Sequence, residues 1–269
     1  MAEGRPGGVM APLVTPFDAA GRVSPACVRA LVRRVRPYAR AVVPTISCGE
    51  GVRLDRESWR TVNLAALDAA EGLPVITGIQ CAEPAEVVAR GRWAARHGAA
   101  GVFVGPPWSQ GRRQREVYRA YARVAAALDL PVYLYNESVV SGVELALGTL
   151  VAVCSLPTVV GVKESGRAPG VTRSLLRAVD GVDVYQGWED LLTATPGVAG
   201  LIGPLVLLDP ALCARFAARP GPELQDVVTA ACRRHGLFGA DYVARTKAAL
   251  VSQGVLRTAA PAPGPTRAA

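Results

Sequence analysis

The sequence predicts an α/β protein, a (β/α)8 (TIM) barrel with a C-terminal helical extension. Three observations lead there. Short β-branched runs alternate with longer amphipathic stretches, the signature of parallel βαβ units. Eight such runs begin between residues 8 and 200. The 269-residue chain also suits a fold that typically needs about 250 residues. A doubly wound open sheet is the runner-up, but no GxGxxG follows the first strand, which weakens a dinucleotide-binding reading.

In order, strands are expected at GVMAPLVTPF (8–17), AVVPTIS (41–47), PVITGI (74–79), GVFVGP (101–106), PVYLYN (131–136), VVGVKES (159–165), VDVYQG (182–187) and GLIGPL (200–205). Helices are expected between them, among them Ser24–Tyr38, Asp55–Ala70, Glu83–Arg96 and Gln114–Leu128. Ser24-Pro25 and Asp55 are start signals, because a side-chain oxygen there can accept from amides the first turn leaves unpaired. In ARHGAAG, His97 precedes Gly98 and reads as a C-terminal cap interacting with the helix dipole. The expected division is a flexible N-terminus over 1–7, the barrel over 8–208, helices over 209–257 and a disordered tail over 258–269. The tail, TAAPAPGPTRAA, is rich in Pro, Ala and Gly.

Composition narrows the function. Half the residues are hydrophobic and 19% are charged, enough apolar material for a large core. No apolar stretch approaches the ~20 residues of a membrane span, so no membrane partner is expected. The opening MAEGRPGG has neither the n-region nor the h-region of a signal peptide, which points to the cytoplasm. Six cysteines are scattered without a CxxC pair and read as small buried apolar residues. With only His97 and His235 present, no metal site is expected. The net charge of +8 raises the question of nucleic acid. Yet the arginines are spread singly and no recognition motif interleaves them with aromatics, so none is expected. The densest cluster, GRRQRE at 111–116, reads as a solvated loop and helix start that at most steers an anionic substrate.

The chemistry centres on a lysine. Of the 30 lysines and arginines, only Lys163 and Lys247 are lysine. An ε-amine can lose its proton and attack a carbonyl, which a guanidinium cannot do. Lys163 ends the strand VVGVKES, and barrel active sites lie at such strand ends. Alternation puts Val160 and Val162 under the helices and Gly161, Lys163 and Ser165 inside. The same parity turns Val132 and Leu134 outward and Tyr133 and Tyr135 inward. Lys163 and Tyr135 therefore point into one cavity, and the Ser-Cys-Gly-Glu-Gly turn at 47–51 offers amides for an anion. A lysine, a phenol and a small hydroxyl around an anion site suit Schiff-base chemistry on a 2-oxo acid. The amine condenses with the ketone, and the iminium draws electrons from the α-carbon. Burial among Val and Gly is expected to lower the lysine pKa from about 10.4 toward neutrality. The bland alternative is a lysine that snorkels or pairs with Glu164.

These residues carry a resemblance. The motifs APLVTPF, SCGE, YN at 135–136, GVKE at 161–164 and GWED at 187–190, in this order and spacing, resemble the dihydrodipicolinate synthase and N-acetylneuraminate lyase family of class I aldolases over residues 8–257. The resemblance implies Lys163 as the Schiff-base lysine and Tyr135 as the proton-transfer phenol. It implies Ser47, Cys48 and Gly49 around the pyruvyl carboxylate, with Ser165, Ile202 and Trp108 also lining the substrate. It implies no cofactor beyond the covalent Schiff base, a small 2-oxo acid substrate, and a homo-oligomer, tetramer or dimer.

The departures matter as much. Cys48 replaces a threonine that donates to the carboxylate. Trp108 stands where the synthases carry a relay tyrosine, and Val140 where they carry an arginine for the partner's carboxylate. Pro204 replaces a serine of the lyase branch. Dihydrodipicolinate synthesis is therefore not expected. Glu137, Glu189 and Asp190 on the catalytic face are expected to favour a cationic or hydroxylated distal group, for instance in 4-hydroxy-2-oxo-arginine. The competing view is that Glu189 and Asp190 start a helix and Glu137 is solvated. Schiff-base dehydration or decarboxylation, and a catalytically silent binding barrel, are the rival functions.

Overall fold

Eight parallel strands form the barrel in the order β2-β1-β8-β7-β6-β5-β4-β3. They are β1 (Gly8–Pro12), β2 (Ala41–Val43), β3 (Ile76–Ile79), β4 (Gly101–Val104), β5 (Val132–Asn136), β6 (Val159–Glu164), β7 (Asp183–Gln186) and β8 (Gly200–Leu201). A Val42–Val75 bridge and a Gly78 N–H bond to the Pro44 carbonyl (2.9 Å) close the seam between β2 and β3. The computed structural model describes residues 8–106 and 113–263. The expected flexible N-terminus (1–7), Trp108, the start of the GRRQRE cluster and residues 264–269 lie outside the described residues.

Each strand occupies one of the apolar runs, but most ladders end early. In the first run pairing stops at Pro12; Pro12 and Pro16 have no N–H to donate. In the runs whose ladders end early, the residues beyond the strand continue onto the catalytic face; β3 and β5 instead reach the ends of their runs.

Between and after the strands lie α1 (Pro25–Val35), α2 (Arg56–Ala70), α3 (Pro84–Arg96), α4 (Gln114–Ala127), α5 (Ser138–Ser141), α6 (Leu147–Cys154), α7 (Pro169–Ala178) and α8 (Leu205–Leu208). The extension adds α9 (Pro210–Ala218), α10 (Pro222–His235) and α11 (Tyr242–Ser252). Ser24 caps α1, accepting from the Cys27 N–H, and Asp55 caps α2, accepting from the Ser58 N–H at 2.7 Å. His97 closes α3, with Nδ1 2.7 Å from the Trp93 carbonyl and its ring stacked on Trp93. No helix among the described residues is long and apolar enough to cross a membrane. The six cysteines are unbonded, and all but Cys81 are buried.

The strands bury both faces. Val9, Val102, Val132, Leu134, Val162 and Val184 pack under the helices. Met10, Phe103, Tyr133, Tyr135, Tyr185 and Ile202 fill the barrel interior. One expectation of parity is corrected: Val160 packs against the interior cluster instead of under the helices. The β5–β6 register slips between Val132 and Tyr133, which pair with Val159 and Gly161, so Val160 is an extra residue. Above that bulge the alternation holds. Gly161 is needed there, because a Cβ would lie 2.6 Å from the Tyr133 ring.

The expected disordered tail is also corrected, over 258–263. Thr258 donates to the Phe17 carbonyl, the Ala262 N–H to Glu50, and Arg53 to the Ala262 carbonyl. Composition gave the tail no reason to order. Its backbone groups are satisfied by side chains distant in sequence. Lys247, 1% exposed, pairs with Glu50, donates to the Ala260 carbonyl at 2.9 Å and lies over the Phe17 ring.

Lys247→Met should cost about 3 kcal/mol or more in urea unfolding, because a buried carboxylate loses its main partner. Glu50→Gln in that background should recover much of the loss. An unchanged midpoint for Lys247→Met alone would show that the pair contributes nothing.

Candidate active site

Tyr135 and Lys163 sit directly opposite each other on β5 and β6, near the C-terminal ends of both strands. The Lys163 side chain is buried, with Nζ donating to Tyr135 Oη at 3.2 Å and lying 4.3 Å from the ring centroid. Its sequence neighbour Glu164 is occupied elsewhere, accepting from Asn136 Nδ2 and the Gly166 N–H, both at 2.6 Å. The Lys163–Glu164 pair weighed above is therefore not formed.

The electrostatics correct one expectation. Burial works against the Lys163 ammonium, but the negative charge that Tyr135, Cys48 and Glu137 carry when ionised, with the hydrogen bond to the Tyr135 oxygen, outweighs it and holds the amine above its ordinary pKa. Burial likewise pushes the Tyr135 phenol up, with the Lys163 ammonium only partly opposing it. The resting pair is ammonium and neutral phenol, so an attacking amine must first lose a proton. A raised pKa means the neutral fraction keeps growing about tenfold per pH unit through the ordinary lysine range. The rate of borohydride trapping at low pyruvate should therefore climb beyond pH 9 or so. A plateau near neutrality would show that the amine is depressed after all.

The turn after β2 lies beside this pair. Ser47–Gly49 and Gly51–Arg53 are single 3₁₀ turns hinged at Glu50, which takes a left-handed conformation (φ 55°). The Gly49, Glu50 and Gly51 amides bond back to the Ile46 and Ser47 carbonyls. An anion would therefore rely on the amides that open the turn, at Ser47 and Cys48. Ser47 Oγ accepts from Gln80 at 3.2 Å and lies beside the Tyr135 phenol at the mouth of the barrel. The Cys48 thiol, raised by burial, lines the same cavity as Tyr242.

A cavity of about 340 Å³ opens above these groups. Of the expected residues it brings together Ser47, Cys48, Tyr135, Glu137, Lys163 and Ser165. Ser165 Oγ is buried and has no hydrogen-bond partner among the described residues, so it can serve a ligand. Four others do not line it. Gly49 packs beneath the turn, its carbonyl accepting from Thr15, and Ile202 belongs to the barrel core. Glu189, 1% exposed, accepts from the Leu205 N–H at 2.8 Å, and burial raises its pKa. Asp190 is held by Arg167 through two hydrogen bonds, at 3.0 and 2.8 Å. The acidic group expected at the distal end is thus reduced to Glu137.

Sequence reasoning missed the opposite wall. Trp188 comes from the GWED segment, which was read for its acids alone. Leu237, Phe238 and Tyr242 come from LFGADY, which joins α10 to α11 and returns over the barrel mouth. The available signal was an aromatic pair in a glycine-punctuated loop, a pattern that functional loops share. Among the described residues no group of three or more His, Cys, Asp or Glu could hold a metal ion.

The dihydrodipicolinate synthetase family profile matches residues 5–216. The chain belongs to that family. It is 32% identical over 209 residues to a DapA-like lyase of Halobacterium salinarum, covering 76% of this chain and 69% of the relative. It is 29% identical over 219 residues to the 4-hydroxy-tetrahydrodipicolinate synthase of Brucella abortus, covering 78% and 73%. The barrel superimposes on the pyruvate-complexed dihydrodipicolinate synthase of Acinetobacter baumannii with a TM-score of 0.88 and 23% identity, over 95% of this chain and 91% of that one. Members of the dihydrodipicolinate synthetase family are aldolase-type lyases that use a lysine Schiff base with pyruvate, and this chain is an enzyme of that class.

Proposed function

We propose that the chain is a class I, pyruvate-dependent aldolase that cleaves or forms a 4-hydroxy-2-oxo acid through an iminium at Lys163. The observation that carries this reading is the buried Lys163 amine, 3.2 Å from the Tyr135 hydroxyl and free of the neighbouring Glu164, at the floor of a cavity.

The ε-amine adds to the C2 carbonyl and water leaves, forming the C=N bond. Tyr135 is the proton carrier for that loss. The C4 hydroxyl then gives up its proton, the C3–C4 bond breaks, and its electrons pass into the enamine while the aldehyde departs. Protonation at C3 and addition of water return pyruvate and the free amine. The iminium is the electron sink, so this route requires no metal or organic cofactor. The amides of Ser47 and Cys48 and the hydroxyls of Ser47 and Ser165 are the proposed carboxylate site. The family suggests a homo-oligomer, tetramer or dimer. A cationic or hydroxylated distal group, as in 4-hydroxy-2-oxo-arginine, now has only Glu137 in its support.

The test needs no knowledge of the aldehyde. In D2O the enzyme should exchange the methyl protons of pyruvate through the enamine, read by NMR. A folded enzyme that neither exchanges those protons nor gains mass with pyruvate and borohydride would defeat the proposal.

A further inference from the structure

The distal half of the cavity presents groups that the protein has already engaged. Asp190 is taken by Arg167, whose guanidinium also lies 4.5 Å from the Trp188 ring centroid and 5.5 Å from that of Phe238. That cation is therefore committed as well. The Trp188 indole N–H donates to the Ser165 carbonyl at 2.7 Å. Glu137 accepts from the Val139 N–H at 2.7 Å. Glu189 is buried behind the wall, where its carboxylate secures the turn carrying Pro204. What lines this end is mostly hydrocarbon: Trp188, Pro204, Leu237, Phe238 and Tyr242.

Among the described residues Glu137 is the one carboxylate lining the cavity. A cationic tail would have to share it with the Val139 N–H while an anionic tail would be repelled by it, so desolvation of a charged distal group opposes binding with little return. An apolar group meets surface that water solvates poorly. Each methylene that fits such a wall is worth roughly tenfold or more in kcat/KM.

We infer that the aldehyde partner carries an apolar distal group, aliphatic or aromatic, held between Trp188 and the Leu237–Tyr242 segment. The inference rests on the Schiff-base reading above and adds the substrate class. The wall is built largely by the helical extension, so specificity belongs to that extension while the bond chemistry belongs to the barrel.

The experiment runs the aldol direction, with pyruvate and a series of aldehydes: hexanal, phenylacetaldehyde, 4-guanidinobutanal, glyceraldehyde and succinic semialdehyde. Pyruvate consumption is followed by NMR. The two apolar aldehydes should exceed the other three by about tenfold or more in kcat/KM. A guanidino, hydroxylated or carboxylate aldehyde that equals or surpasses them overturns the inference, as does failure of both apolar aldehydes to react. Phe238→Ala and Leu237→Glu should each lower the phenylacetaldehyde-to-glyceraldehyde ratio by roughly tenfold. The ratio does not depend on how much of a variant folds, and an unchanged ratio in both variants also overturns the inference. Borohydride trapping with pyruvate alone separates the two levels. If trapping fails, the Schiff-base reading falls and takes this inference with it. If trapping succeeds and a charged aldehyde wins, only the substrate class is wrong.

Discussion

Incubation with pyruvate and borohydride should attach a reduced pyruvyl group to the peptide carrying Lys163, and Lys163→Ala should abolish both labelling and turnover. Lys163→Arg should be as inactive as alanine. Arginine keeps the positive charge beside Tyr135 but is a very poor nucleophile, so the pair of variants separates covalent chemistry from electrostatic binding. The chain supplies its own control. Lys247 is also buried, but it is paired with Glu50 and the Ala260 carbonyl and does not line the cavity. Label confined to the Lys247 peptide would sink the assignment. Residual turnover in Lys163→Arg near the wild-type rate would do the same.

Tyr135→Phe should lower kcat by roughly 10²–10⁴-fold, the usual scale for a positioned acid–base group. Two readouts distinguish proton transfer from packing. The ring remains in the barrel core in the phenylalanine variant, so unfolding by urea should change little. The Tyr135 oxygen accepts from Lys163 and helps to hold the amine protonated. Without it, burial acts with less opposition, and the pH profile of trapping should move toward acid. A variant that keeps the wild-type kcat would move proton transfer to water or the substrate carboxylate. A fall in kcat with no movement of the pH profile would argue that the phenol acts without contacting the amine.

How much of this was legible follows from the range over which each feature is decided. The eight strands announced themselves because β-branched runs and their Gly, Pro and Asn stops act within a few residues. Lys163 stood out because arginine serves nearly every other basic position. Strand parity carried it inward together with Tyr135, and pairing of β5 with β6 brought the two opposite each other. Val160 escaped the same rule because a bulge depends on the partner strand, which parity along one strand does not contain.

The sequence by itself determined the barrel, the helical extension and the inward-facing pair Lys163 and Tyr135, since alternation, capping and residue type are local properties. Only the tertiary structure decided which charges were available. Asp190 is spent on Arg167, Glu189 on the Leu205 amide, and Glu50 on Lys247 and the tail at Ala262. The same holds for the Lys163 proton, which burial alone would have loosened and the neighbouring phenol retains. It holds too for the apolar wall, where Trp188 meets Phe238 across residues far apart in the chain. A charge's partner and a side chain's solvent depend on distances in space, and those are set by the packing of whole elements.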